Sequence, residues 1–275
     1  MATGVYEHPA HPAALRIRLE TLRLGLLWLT GLSGAFVFME PSPYEVVSLA
    51  TMVVFALTGL TLRTAVMPLL LLLALYNFGF LIAVVPVLAK EKTLQWVLIS
   101  IFMSATAVFY AAMLCTNPER RLATLLRGYT AAAVVASVAG IGGYFHVLPG
   151  AEHFLRYERA QGTFNDPNVF GAFLVLPALL ALQRILAGRL REIVVGGGLL
   201  MLFVLALLLS FSRAAWGQFA GAAALMLLLT FVTSRSSRER MRIVAIGVAG
   251  VAVLGLFVIA LLSVDQVADL FKERA

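Results

Sequence analysis

The chain has 275 residues, of which 61% are apolar and only 13% charged, and its mean hydropathy is +0.95. Soluble domains run about 45–50% apolar and about 25% charged, so a single water-soluble core and a disordered chain are both excluded. A single cysteine, Cys115, rules out an intrachain disulfide, and the net charge of +7 is read as arginines at membrane surfaces.

Residues 1–21 are polar and carry Pro9 and Pro12. They read as a loose cytoplasmic tail, with a retained anchor after it because no small-x-small cleavage site precedes Glu40. A bilayer core about 30 Å thick takes about 20 apolar residues per helix. Nine stretches meet that need in a membrane domain over 22–263: 22–39, 45–62, 65–88, 94–114, 125–146, 167–187, 193–211, 214–233 and 243–263. Backbone groups in lipid must pair within their own segment, and these runs lack the alternation of barrel strands, so they are helices. The expected fold is an all-α polytopic transmembrane bundle. Residues 264–275 begin an external, periplasmic loop.

Orientation follows from the basic residues. With the N-terminus inside, fourteen of the 21 lie on the cytoplasmic side, from Arg16 to Arg242. The other seven, Lys90, Lys92, Arg156, Arg159, Arg213, Lys272 and Arg274, lie outside. That bias places the N-terminus in the cytoplasm and the C-terminus in the periplasm. It also spreads the positive charge over several inner segments, so no nucleic-acid partner is expected. The stretch 192–233 would reach about 63 Å as one helix, twice the bilayer, so it must turn. The polar cluster from Ser210 to Arg213 is where it turns, facing outward, and Gly196, Gly197 and Gly198 allow close helix packing.

All fourteen acidic residues fall in loops or at span edges, against the pattern of ion-coupled transporters. No Walker loop, HExxH or CxxC motif occurs. No cofactor and no metal are expected: His8 and His11 read as part of a solvated tail, and Cys115 as a small apolar filler.

The chemistry concentrates between residues 147 and 174, which read VLPGAEHFLRYERAQGTFNDPNVFGAFL. Asp166 followed by Pro167 is an N-cap and first helical residue, and Gly162 supplies a turn. The sixth helix then opens at the outer surface with its amide groups pointing outward, an end that favours anions. Arg159, with Arg156 as a second candidate, folds over that end as a pyrophosphate clamp, or Arg159 snorkels to the interface while Asp166 merely caps. Arg213, at the tip of the later turn, either anchors it or meets an anionic ligand, and Trp216 suits the interfacial aromatic belt.

The segment RAQGTFNDPNVFGAFL (residues 159–174), followed by SFSRAAW (residues 210–216), resembles the O-antigen ligase and polymerase superfamily. The likeness covers residues 120–275; the earlier spans match only as apolar helices. It implies a multi-pass protein of the bacterial inner membrane. Such a protein moves a glycan from a polyprenyl-pyrophosphate carrier to lipid A-core or to a growing glycan at the periplasmic face, without a metal. Arg159 and Arg213 match the family's motif arginines and are implied to stabilise the departing pyrophosphate as catalytic residues. Asn168 and Arg156 are implied to bind substrate, as is Arg274 in LFKERA, while Gly162, Asp166, Pro167 and Trp216 match as structural positions. The family's general base is a histidine in a later external loop. His146 and His153 are external but stand elsewhere, so this chain is expected to hold the donor-binding half and not to catalyse transfer alone. Two other readings stay open: a flippase or transporter for polyprenyl-linked sugars, and a non-catalytic membrane subunit.

Overall fold

The computed structural model describes residues 12–39, 41–87 and 92–262, and divides the chain into two compact units, residues 1–132 and 133–275. Nine α-helices occupy the nine apolar stretches among the described residues. Six segments are long and apolar enough to cross a bilayer: Thr64–Val87, Thr93–Leu114, Pro118–Tyr144, Pro167–Leu186, Leu190–Leu209 and Arg213–Thr233. That is the make-up of a multi-pass membrane protein.

The first unit contains α1 (Pro12–Ser33), α2 (Pro43–Leu57), α3 (Met67–Val84), α4 (Thr93–Leu114) and the first half of α5 (Pro118–Tyr144). Helix α1 begins at Pro12, ten residues ahead of the apolar run, so the expected loose tail over 1–21 is corrected for its second half. Proline presets φ at a first helical position, and the Ala, Leu, Arg and Glu that follow are strong helix formers. Helix α2 opens with a capping box: the Ser42 hydroxyl accepts from the Glu45 amide, and the Glu45 carboxylate accepts from the Ser42 amide at 3.0 Å. It closes five residues before the expected end. Gly59 takes φ +103°, and the Leu60 amide turns back to the Phe55 carbonyl at 2.8 Å, a Schellman-type ending.

The core of this unit is Leu27, Phe55, Phe109 and Met113, with the two phenylalanine rings edge to face at 5.3 Å. A charged cluster closes one end of it. Arg121, 4% exposed, donates Nε and Nη2 to the Glu20 carboxylate at 3.1 and 3.0 Å, and Nη1 to the Met113 carbonyl at 2.9 Å. Arg23 donates to the Thr58 hydroxyl at 2.9 Å and also to the Thr58 carbonyl, at the C-terminus of α2. Both guanidinium groups lie over the Phe55 ring, 5.2 and 5.3 Å from its centre. The start of α5 and the ends of α2 and α4 therefore meet α1 at one place. Farther along α1, Gly31 and Gly128 let its backbone touch that of α5; a Cβ on Gly128 would strike the Trp28 carbonyl. Between α3 and α4, the Asn77 amide donates to Ser104 Oγ at 2.7 Å and accepts from Ser100 Oγ at 3.0 Å.

The second unit holds the rest of α5, then β1 (Leu155–Arg156), β2 (Arg159–Ala160), α6 (Pro167–Leu186), α7 (Leu190–Leu209), α8 (Arg213–Thr233) and α9 (Ser237–Leu262). Helix α6 is its centre, packed on both α7 and α8. Only one of the three consecutive glycines of α7 makes a close approach. A Cβ on Gly196 would lie 2.7 Å from the Ala181 carbonyl, while Gly197 and Gly198 have nothing within 4 Å. At the far end of α6, the Arg242 guanidinium donates to the Leu186 carbonyl at 2.9 Å and satisfies a terminal acceptor.

Candidate functional site

The site is built where α5 ends and α6 and α8 begin. The Asp166 carboxylate accepts from the Asn168 amide at 2.6 Å, with Pro167 as the first residue of α6. The turn from α7 to α8 comprises residues 210–212. Phe211 there takes φ +49°, and the Ser212 hydroxyl accepts from the Ala215 amide, so α8 opens at Arg213. The two helix starts are pressed together: a Cβ on Gly171 would lie 2.7 Å from Ser210 Oγ and 3.0 Å from the Ala215 Cβ.

Arg159 joins them. Its Nε donates to the Ser210 carbonyl at 2.7 Å, and its Nη2 donates to Asn168 Oδ1 at 2.8 Å. The side chain is buried, in a charge-assisted latch between the α7–α8 turn and the first turn of α6. The two sequence segments singled out beforehand are thus one structural unit. Arg159 is neither snorkelling at a surface nor reaching outward; its guanidinium faces the protein.

Gly162 does more than turn the chain. At φ +57°, its Cβ position would fall 2.7 Å from the Ala136 carbonyl and 2.9 Å from the Phe170 ring, so only glycine seats the loop on α5. Trp216 is half-buried and donates its ring N–H to the Leu207 carbonyl at 2.9 Å. It clips α8 to the last turns of α7, a use that the aromatic-belt reading did not foresee.

Arg213 is different. It is exposed, and among the described residues its side chain makes no hydrogen bond or ion pair. It stands three positions after Ser210, so its backbone lies within about 11 Å of the carbonyl that Arg159 holds. Arg156 is also exposed; it donates to the Asn165 carbonyl, and its guanidinium lies 5.3 Å from the centre of the Tyr157 ring. His153 is exposed, with Nδ1 3.2 Å from the Gly150 carbonyl oxygen and 3.4 Å from the Glu152 carboxylate. His146 is exposed at φ +54°. Arg274 lies outside the described residues.

Two features had no signal in the sequence. One is the aromatic row beneath the turn, with Tyr144 6.5 Å from Phe211 and Phe211 6.3 Å from Trp216. The other is a β-hairpin inside the loop, the one sheet among the described residues and a small departure from an all-helical chain. It pairs Leu155 with Ala160 and Arg156 with Arg159. Its two central residues, Tyr157 and Glu158, both take positive φ, +52° and +58°. A primed turn demands that backbone, and glycine or asparagine usually supplies it. Here neither residue is one, at a cost of roughly 1–2 kcal/mol each.

Comparison with known proteins adds no likeness: the chain matches no family model, no curated protein and no solved structure.

Proposed function

We propose that this chain is an O-antigen ligase-like membrane protein that holds a polyprenyl-pyrophosphate-linked glycan at the outward end of α6 and α8. The topology of this reading is nine crossings of a bacterial inner membrane, with the N-terminus cytoplasmic. One observation carries the reading: Arg159 binds the Ser210 carbonyl and so welds the two segments that resemble the family. A resemblance made of two fragments gains weight when both build one place.

The roles divide by exposure. Arg213 and Arg156 are the exposed cations able to meet a pyrophosphate, beside the amide ends of α6 and α8. Arg159 acts from beneath: it orients Asn168 and fixes the turn that carries Arg213. Charge developing on a departing pyrophosphate is stabilised best by groups already in place, and a latched turn supplies that placement. The acceptor is lipid A-core or a glycan chain.

The test is binding of undecaprenyl pyrophosphate to the purified chain. Arg213→Ala removes an exposed cation that holds no part of the fold. Loss of one charge-assisted contact, about 1.5–3 kcal/mol, weakens binding about 10- to 150-fold with the melting temperature unchanged. Failure of the folded wild type to bind would overturn the reading.

A further inference from the structure

We propose that Tyr157, at the tip of the β-hairpin, is a stacking platform for a sugar ring of the lipid-linked glycan; this rests on the donor reading above. Tyr157 is 70% exposed, whereas Phe154 and Phe164 of the same loop are half-buried and buried. One contact is already made: Arg156 lies 5.3 Å from the ring centre, and the same side chain donates to the Asn165 carbonyl, which holds it still. The ring is therefore backed by an anchored cation and open elsewhere.

The tip is rigidly tied to the latch. Arg156 pairs with Arg159 across the hairpin, so Tyr157 stands two residues from the side chain that holds Ser210 and Asn168. A glycan joined to a pyrophosphate at the helix ends emerges beside it. The ligand class follows from the chemistry. The face of a tyrosine ring is electron-rich and attracts the polarised C–H bonds on one side of a pyranose. The neighbouring exposed groups, Arg156, Glu158 and Asn165, offer donors and acceptors to sugar hydroxyls.

The backbone speaks for the side chain. Two successive non-glycine residues stand in the left-handed region, where asparagine or glycine would relieve the conformation. Strain of this kind collects at ligand-binding positions. If the ring is there for a ligand, replacing it gives a protein that is at least as stable and binds less well.

The experiment compares two probes on the full purified chain: undecaprenyl pyrophosphate, and the same carrier bearing one N-acetylglucosamine. Wild type should bind the sugar-bearing carrier roughly 3- to 10-fold more tightly, the range that one aromatic contact supplies. Tyr157→Asn should abolish that preference, leave binding of the bare carrier intact and keep or raise the melting temperature. Tyr157→Phe should retain the preference. If wild type shows no preference, or Tyr157→Asn keeps it, the platform is overturned while the donor site stands, and the ring is an interfacial anchor. If neither carrier binds, both readings fall together.

Discussion

Arg159 shows how one side chain decides what a motif is for. As letters, Arg159 and Arg213 are equivalent cations on the same side of a membrane protein. In the fold, one is buried with Nε and Nη2 on Ser210 and Asn168, while the other is exposed at the first turn of α8. Arg159→Ala leaves the Ser210 carbonyl without its donor, so thermal unfolding in detergent should show a loss of about 3 kcal/mol. Arg159→Lys should recover only part of it, since an ammonium cannot span two acceptors as a planar fork does. An unchanged melting temperature in the alanine variant would mean that the latch contributes nothing to the fold.

At the scale of elements, the helix ends are where this molecule uses its charges. Glu20 of α1 is held between Arg121 of α5 and its own neighbour Arg23, and these arginines reach the last turns of α4 and α2. Hydrogen bonds from Arg121 hold the Glu20 carboxyl below the usual carboxylate range, although burial works the other way. A carboxylate whose pKa is lowered on folding stabilises the protein above its ordinary value, about 4.3. That contribution drains away as the pH falls through the lower folded value. Glu20→Gln should therefore be less stable than wild type at pH 7, and the gap should narrow progressively as the pH falls below the ordinary carboxylate value. Thermal melts of both proteins across that range check it; a gap that persists at low pH would assign the loss to shape instead of charge. Two other contacts between elements are neutral. The approach of Gly31 and Gly128 and the Asn77–Ser104–Ser100 bonds join helices without any charge in the apolar interior.

For the whole molecule, the placement of the helix ends suits the proposed topology. The ends of α2 and α4 and the start of α5 gather in one cluster, as neighbouring antiparallel helices do, and the first turns of α6 and α8 gather in another. With nine crossings and the N-terminus inside, the loop carrying Asn165 is external and the loop carrying Ser236 is internal. In a Cys115→Ala background, Asn165→Cys should react with a membrane-impermeant maleimide added to intact spheroplasts. Ser236→Cys should react only after the membrane is opened. The reverse pattern would overturn the proposed topology and with it the proposed periplasmic placement of Arg213.

The sequence by itself determined the membrane class and the location of nine helices, because apolar runs of that length have few other stable states beside lipid. Local chemistry also marked the Asp166–Pro167 start of α6 and the turn at residues 210–212, since caps and turns depend on near neighbours. The start of α1 and the end of α2 differ from the apolar runs for a related reason: helix ends answer to capping and packing, not to hydropathy. Only the tertiary structure decided which arginine is a latch and which is exposed. That outcome turns on the Ser210 carbonyl, 51 residues from Arg159. The left-handed hairpin at Tyr157 and Glu158 was hidden likewise, because pairing of Arg156 with Arg159 imposes a backbone that neither tyrosine nor glutamate prefers.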